Sequence, residues 1–435
     1  MGKSALFSRL QRLVPVEGHE WIALVWSFLY FFSLLCGYYV LRPVRDEMGI
    51  QGGVEVMHVS FTIVFLVMLL LVPLYGVLVA RFSRARLLPF VYGFFILNLL
   101  LFYWLFDHFP HNANVARGFF VWVSVFNLFV VSVFWSFMSD IFANRDARRL
   151  FGLIAAGGSA GAIMGPLLTV QFVKPLGVVN LLLVSAGFLS IALVCVFMLS
   201  RWVKHHDSKN LDDARRHGAA IGGGLWSGLT NVLRSPYLLG VAAYVFLLTT
   251  LATFVYFTQA HLVRDAFSDP AQRTQVFAYI DLATNILTIL LQIFVTGHLL
   301  SRIGVGFGLI IMPLLLGIGF IGLGLSPVLW ILLAVQVIRR AGNYSISRPA
   351  REVLFTVVSR EDRYKSKTFI DTVMYRGGDA TSAWVYAFLG WVGFGISGIA
   401  WIAVVVVGLW LALGYWLGYR HDQLNSLVKT GAGPH

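Results

Sequence analysis

Long apolar runs of about 20 residues, separated by short charged connections, follow one another through nearly the whole of this chain. A helix of that length crosses the hydrocarbon core of a bilayer, whereas the strands of an outer-membrane barrel would appear as short alternating segments. Apolar residues make up 58% of the sequence and charged residues only 12%, a balance that is not typical of a soluble domain. The pattern therefore predicts an all-α integral membrane protein.

The runs predict twelve transmembrane helices in two six-helix halves. One long hydrophilic connection with mixed charge and a glycine run divides them, which is typical of a flexible cytoplasmic linker. We expect an N-terminal bundle over residues 1–200, the linker over 201–233 and a C-terminal bundle over 234–435. The predicted spans are 21–41, 57–80, 87–106, 117–139, 150–172, 178–200, 236–260, 274–298, 305–325, 328–347, 369–391 and 396–418.

The net charge of +13 comes from bases scattered among short connections, which indicates membrane topology and disfavours nucleic-acid binding. With the N-terminus inside, most of the 33 Lys and Arg residues fall on the cytoplasmic side. We therefore expect both termini in the cytoplasm, the chain in the lipid bilayer of a bacterial inner membrane, and a functional monomer.

No cofactor and no metal is expected. Cys36 and Cys195 lie inside apolar runs, so neither a disulfide framework nor a paired-cysteine metal site is indicated. A metal site in the linker is the alternative, but its acidic and imidazole side chains show no closed ligand spacing. The linker residues concerned are His205, His206, Asp212, Asp213 and His217.

Ionisable side chains lie at membrane depth between residues 339 and 379. Arg339 and Arg340 stand near the middle of the tenth span, and Arg376 and Asp379 lie well inside the eleventh. A central arginine costs about 2.5 to 3.5 kcal/mol on insertion scales, so such groups normally face a protein interior or an aqueous cavity. We interpret this stretch as the working part of a transporter. The alternative is that Arg339 or Arg340 only locks helices together by pairing with Asp281 or Asp379.

Two further basic residues lie at the end of the first span. Arg42 and Arg45 are three residues apart, so one helix face can present two guanidinium groups to a carboxylate or phosphate. The alternative is an interfacial position with Asp46 and Glu47 as partners.

The eighth span carries a polar face. Asp281 and Asn285 are four residues apart, and polar residues at this spacing should face the bundle interior or a pore. We expect Asp281, Asn285 and Asp379 to act in coupling or gating, with hydrogen bonding between helices as the alternative for Asn285.

Two glycine patterns resemble the major facilitator superfamily. The segments 76–84 and 297–305 share a spacing of glycine, small residue and arginine at corresponding places in the two halves, as in that superfamily's loop motif, although Ala80 and Ser301 replace its acidic residue. Gly157, Gly161 and Gly165 in the fifth span form a smooth face that permits close backbone approach. That face resembles the glycine-rich fifth helix of the superfamily's antiporters.

Four segments resemble the nucleotide transporter family of plastids and intracellular bacteria, which is best known for ATP/ADP exchange. They are YYVLRPVRD from Tyr38, FWSFMSDIF from Phe134, NYSISRPAREV from Asn343 and KSKTFIDTVMYRGGDATSA from Lys365. The resemblance runs through most of the chain and implies a twelve-helix, facilitator-like fold with substrate exchange and no ATP hydrolysis. It places the family's basic first-helix position on Arg45 and its tyrosine of the tenth helix on Tyr344.

The chain departs from this family at three places. Asp379 stands where the eleventh-helix motif has a lysine, and Val123 and Tyr256 lie near the positions of two intramembrane glutamates. The resemblance is therefore to a divergent member.

The leading hypothesis is a secondary transporter of an organic anion, nucleotide-like or otherwise phosphorylated, that works by alternating access and as an antiporter. Arg42, Arg45, Arg339, Arg340 and Arg376 would bind the anion, and Tyr344 would stack on a base or ring. One alternative is a proton-coupled exporter of a drug, siderophore or lipid-like amphiphile, which the aromatic content of 15% suits. Another is a sensor or scaffold without transport. An enzyme is not expected, because no nucleophile and base stand at a convincing spacing.

The predicted topology is tested by labelling a cysteine introduced at Ser208. Because the linker is expected in the cytoplasm, a membrane-impermeant thiol reagent added to intact cells should fail to label Ser208→Cys, whereas it should label His111→Cys in a predicted external connection. Efficient labelling at position 208 would contradict the orientation.

Overall fold

A computed structural model describes residues 20–81, 84–142, 144–206, 225–297 and 304–429. Every regular element in this part of the chain is helical, which confirms the all-α prediction. The α-helices are α1 Glu20–Gln51, α2 Met57–Arg81, α3 Arg84–His108, α4 Ala113–Ile141, α5 Asn144–Leu176, α6 Leu181–His206, α7 Leu225–Arg234, α8 Pro236–Ala266, α9 Pro270–Leu291, α10 Val305–Leu325, α11 Leu329–Gly342, α12 Arg348–Leu354, α13 Arg360–Phe369, α14 Tyr375–Trp391 and α15 Ile396–Lys429.

Three π-helical segments join or extend these helices. They are π1 Gln292–Thr296 after α9, π2 Asn343–Ser347 between α11 and α12, and π3 Ile370–Met374 between α13 and α14. Single turns of 3-10 helix occur at Val54–Val56 and Phe355–Val357.

Ten helices in the described residues are long and apolar enough to cross a membrane. They coincide with the first nine predicted spans and with the twelfth. The tenth and eleventh predicted spans fall on the interrupted runs α11–π2–α12 and α13–π3–α14, where the charged residues lie. Charged and polar residues, among them Arg339, Arg340, Arg376 and Asp379, lower the mean hydropathy of these two runs.

The described residues cluster into two compact units. The N-terminal unit contains 20–48, the described residues of 71–206, and 277–279, and the C-terminal unit contains 49–70, 225–276 and the described residues from 280 to 429. The N-terminal part of α2, up to residue 70, thus belongs to the C-terminal unit.

In the N-terminal unit, the glycine face of α5 packs directly on the backbone of α1. A Cβ atom on Gly157, Gly161 or Gly165 would lie 2.3 to 2.6 Å from a carbonyl oxygen of α1, so no larger residue fits without movement. The close approach expected from the glycine spacing is confirmed.

The C-terminal unit is built around α8, which packs against α11, α14 and α15. Ser235 caps its first turn by accepting a hydrogen bond from the backbone of Leu238, and Pro236 occupies the first helical position, where its missing N–H costs nothing. Midway along α8 the fully buried Tyr244 donates to the carbonyl of Leu309 at 2.8 Å and packs on Trp410. These contacts fix α8 as the element from which the neighbouring helices present their polar side chains.

The predicted linker differs from a flexible connection at its C-terminal end. Residues 225–234 form α7, which packs against α13 because its apolar residues, such as the buried Val232, lie along one face. The rest of the linker from 207 to 224, with its proposed alternative metal ligands, lies outside the described residues, and nothing is described for the side chains of His205 and His206. The two loop motifs are also only partly described, because residues 82–83 and 298–303 fall outside.

Candidate functional site

The polar residues of the C-terminal unit gather around two of the π-helical segments. Arg339 and Arg340 end α11 just before π2, and Arg376 follows π3 by two residues. The π1 and π2 segments are joined, because Thr296 donates its hydroxyl to the carbonyl of Ser345 at 2.9 Å and Ser345 donates to the carbonyl of Thr288 at 3.1 Å. A π-helical turn widens the backbone and commonly marks a functional site. The candidate site is therefore built where the helices are least regular.

Arg340 forms a buried ion pair with Asp281. An Nη2 atom of Arg340 lies 2.6 Å from a carboxylate oxygen of Asp281, and their side chains are only 7% and 1% exposed. The pair joins α11 to α9 in a region that excludes solvent, where breaking it would leave an uncompensated charge. The geometry corresponds to the helix-locking alternative for Arg340 and not to a side chain that is open to a ligand.

A relay of side-chain amides positions Arg339. Its Nε and Nη2 atoms donate to the amide oxygen of Gln336 at 3.0 and 2.7 Å, and the amide nitrogen of Gln336 donates to the amide oxygen of Gln259 at 2.5 Å. Both glutamines are 2% exposed, so their amides need these partners. The relay runs from α8 to α11 and fixes the direction of Arg339.

Arg376 and Asp379 form a looser pair on the first turn of α14. Their nearest charged atoms are 3.5 Å apart, and the two side chains are 35% and 17% exposed. The guanidinium of Arg376 also lies over the ring of Tyr375, 5.9 Å from its centroid. Unlike Arg340, Arg376 retains exposed surface through which a ligand can reach it.

Arg339 lies within electrostatic range of the pair of Arg376 and Asp379. Arg339 is close enough to Asp379 and to Tyr375 to interact with both, and Tyr344 of π2 interacts with Tyr375 in the same way. Arg339 of α11, Tyr344 of π2 and Arg376 and Asp379 of α14 thus each lie within electrostatic range of Tyr375, and we call these five residues the Arg339–Arg376 cluster. Its chemistry suits an anionic group joined to a ring.

Close backbone packing holds α14 in this position. A Cβ atom on Gly378 would lie 2.3 Å from the hydroxyl oxygen of Thr249 on α8, so α14 approaches α8 as closely as a glycine allows. One turn further on, Ser382 donates a hydrogen bond to the hydroxyl of Thr250 at 2.8 Å. These contacts set the rotation of α14 and hence the direction of Arg376.

The remaining predicted residues occupy other surroundings. Asn285 is 7% exposed on α9, one turn from Asp281, in agreement with the predicted inward polar face.

In the N-terminal unit, α1 continues past Pro43, so Arg42 and Arg45 are one helical turn apart. Arg45 donates to Asp46 at 2.8 and 3.1 Å and lies over the ring of Phe120 at 4.9 Å. The pairing with Asp46 is the alternative that the sequence left open for this residue.

Arg42 lies beside an aromatic ring. Its guanidinium stands 5.7 Å from the ring centroid of Tyr39 on the preceding turn of α1. A cation over a ring face is attracted by the electron-rich face of the ring.

Within the C-terminal unit, the segment 49–70 contacts α8 and α14. Glu55 pairs with Arg264, and the indole nitrogen of Trp384 donates to the hydroxyl of Thr62 at 2.9 Å. The ring of His58 packs between Trp384 and Trp391, with centroid distances of 4.3 and 5.6 Å. Since Glu55 is 68% exposed, most of the stability of this contact comes from the rings and not from the ion pair.

Sequence reasoning missed two of these features. Gln336 stands three residues before Arg339 in an otherwise apolar run, a spacing that puts both on one helix face and that would have suggested the relay. The pair of Glu55 and Arg264 joins residues far apart in the chain, so no local spacing in the sequence predicts it.

The role of Arg340 is tested by its effect on stability. Arg340→Gln strands the buried carboxylate of Asp281, so we expect a loss of about 3 to 5 kcal/mol in the free energy of unfolding, and Arg340→Gln with Asp281→Asn should recover most of it. The melting temperature in detergent measures both. Arg420→Gln, an exposed arginine at the end of α15, is the control and should melt as the wild type does. A single variant as stable as the wild type would exclude the locking role.

The chain is similar in sequence to two ADP,ATP carrier proteins. It is 21% identical to the ADP,ATP carrier protein 1 of Chlamydia muridarum, with 86% of this chain and 83% of the relative covered. It is 23% identical to the ADP,ATP carrier protein 2 of Chlamydia trachomatis, with coverage of 95% and 91%.

Two solved structures share the fold. A bacterial homologue of the iron transporter ferroportin, in its inward-facing state, superposes with a TM-score of 0.67 and 12% identity over 92% of this chain and 98% of its own. The nucleoside transporter NupG superposes with a TM-score of 0.65 and 13% identity over 92% and 99%. The model of the Major Facilitator Superfamily matches residues 27–268, which is more than half of the sequence. The chain therefore belongs to the Major Facilitator Superfamily.

Proposed function

We propose that the protein is a secondary active transporter that moves a nucleotide-like or otherwise phosphorylated organic anion by alternating access, as an antiporter. The observation that carries this proposal is the Arg339–Arg376 cluster, in which Arg376 pairs loosely with Asp379 and both lie, with Arg339 and Tyr344, within electrostatic range of Tyr375. The similarity to ADP,ATP carriers, which extends over most of both chains, supports a nucleotide-like substrate.

The side chains of the cluster have separate roles in this proposal. Arg339 and Arg376 bind the anionic group, and Tyr344 stacks on a base or sugar ring. Asp379 competes with the substrate for Arg376, so it releases the guanidinium when the anion arrives and pairs with it again when the anion leaves. Arg42 and Arg45 are the corresponding basic residues of the N-terminal unit.

The buried pair of Arg340 and Asp281 has a structural role in this proposal. Arg340 and Asp281 hold α11 against α9, with Asn285 on the same face of α9, and this rigid element carries Arg339. A site on packed helices keeps its geometry better than a site on loops. We further propose that the protein acts as a monomer in a bacterial inner membrane, with both termini in the cytoplasm and without hydrolysis of ATP.

Uptake of labelled nucleotide into proteoliposomes tests the substrate class. Unlabelled nucleotides and phosphate esters should compete, and cations should not, because the cluster carries more positive than negative charge. Competition by lipophilic cations alone, with every anion inert, would contradict the proposal and favour an exporter of amphiphiles.

The same assay tests the two arginines. Arg339→Gln and Arg376→Gln each remove a charge that the anion contacts, so the apparent affinity should fall more than about tenfold, or roughly 1.4 kcal/mol, while the melting temperature changes little. Arg420→Gln removes the same charge from an exposed position and should leave the affinity unchanged. Wild-type affinity in both cluster variants would remove the cluster from the mechanism.

A further inference from the structure

A small cavity lies inside the C-terminal unit, where π2 meets α10 and α15. The space open to the centre of a water molecule is about 10 Å³, which is room for one water molecule and not for an organic ligand. The cavity is lined by Leu248 of α8, Met312 and Leu316 of α10, Arg339 of α11, Asn343 and Ser347 of π2, and Trp410 of α15.

Three polar atoms of the lining residues are buried and need a hydrogen-bond partner. They are the indole nitrogen of Trp410, the amide oxygen of Asn343 and the hydroxyl oxygen of Ser347, and none of the described residues supplies a partner to any of them. Trp410 is only 2% exposed and Ser347 only 1%. A buried donor or acceptor that lacks a partner destabilises the fold, and at membrane depth the lipid cannot supply one. Because the three atoms belong to residues around one water-sized cavity, they indicate a shared partner inside it.

Close packing holds the walls of the cavity in place. The ring of Trp410 lies 5.3 Å from that of Tyr244, and Tyr244 is fixed in turn by its hydrogen bond to the carbonyl of Leu309 at 2.8 Å. On the other side, Gly342 packs so closely against Met312 that a Cβ atom on this glycine would overlap the sulfur. The cavity therefore cannot close by a small shift of either wall.

The chemistry of the lining residues selects the kind of molecule that fits. The indole N–H of Trp410 only donates a hydrogen bond and the amide oxygen of Asn343 only accepts one, so the occupant must both accept and donate. A metal cation is disfavoured by the indole N–H and by the guanidinium of Arg339, and an anion is disfavoured by the amide oxygen. A water molecule has both capacities and the right size.

We infer that this cavity is a binding site for one structural water molecule, which accepts a hydrogen bond from the indole of Trp410 and bonds to the side-chain oxygens of Asn343 and Ser347. The water joins α15 to π2, the irregular turn that follows Arg339 and Arg340. Its site is independent of the substrate that the protein carries, so the inference stands or falls apart from the proposed function.

The sign of a change in melting temperature tests this inference. Asn343→Leu and Ser347→Ala each remove one polar partner with little change of shape. If water occupies the cavity, each variant breaks a hydrogen bond and should melt lower than the wild type by at least about 2 °C in detergent. If the cavity is dry, each variant removes a buried polar atom that has no partner, so its melting temperature should be unchanged or higher.

Ser190→Ala is the matched control. The hydroxyl of Ser190 on α6 donates to the carbonyl of Ala186 in its own helix at 2.8 Å, so its loss should leave the melting temperature close to that of the wild type. Melting temperatures of Asn343→Leu and Ser347→Ala at or above the wild-type value overturn the inference.

An experimental map at a resolution that shows ordered water tests the site directly. One peak within hydrogen-bond distance of the Trp410 nitrogen and of the Asn343 and Ser347 oxygens is expected. A map that shows other buried waters but no peak here overturns the inference. Crystals grown in bromide identify the occupant, because anomalous scattering from the peak would show a halide and would also overturn it, whereas a peak without such scattering supports water.

Discussion

A charged side chain cannot remain inside a bilayer unless it is neutralised by a partner or directed into a polar cavity, and the C-terminal unit is organised by this constraint. Consecutive arginines show both solutions. Arg340 is buried against Asp281, while Arg339 donates to the uncharged Gln336, which donates in turn to Gln259. One residue of separation turns the two side chains by about 100° around the helix, so that one locks helices and the other faces the cluster.

The irregular backbone lies beside these charges. π2 directly follows the two arginines of α11, π3 precedes Arg376, and π1 is hydrogen-bonded to π2. Helices kink at π-helical turns, so these segments are places where a helix can bend. By contrast, the α8–α14 contact at Gly378 and the α1–α5 contact at Gly161 are too close for a residue larger than glycine. The fold thus combines rigid helix pairs with local turns that can adjust around a ligand.

The sequence was sufficient for the fold class because membrane helices have a length and a composition that few other elements share. The glycine face of α5 was also predictable, since a repeat of four residues has one geometric meaning on a helix. The sequence did not distinguish the roles of Arg339 and Arg340, because both stand in the same apolar run. Only the packing of α9 decides which of the two pairs with Asp281. The three π-helical segments carry no sequence signal of the kind that proline or a cap gives, and the Gln259–Gln336 contact depends on how α8 and α11 meet.

The most direct test of the account is exchange itself. Proteoliposomes loaded with labelled AMP are diluted into buffer with or without unlabelled AMP, in the absence of ATP and of an ion gradient, and the release of label is followed. An antiporter for a nucleotide-like anion predicts that external AMP accelerates release and that Arg339→Gln needs more than about ten times as much AMP for the same acceleration. Release at the rate of protein-free liposomes under both conditions would contradict the account.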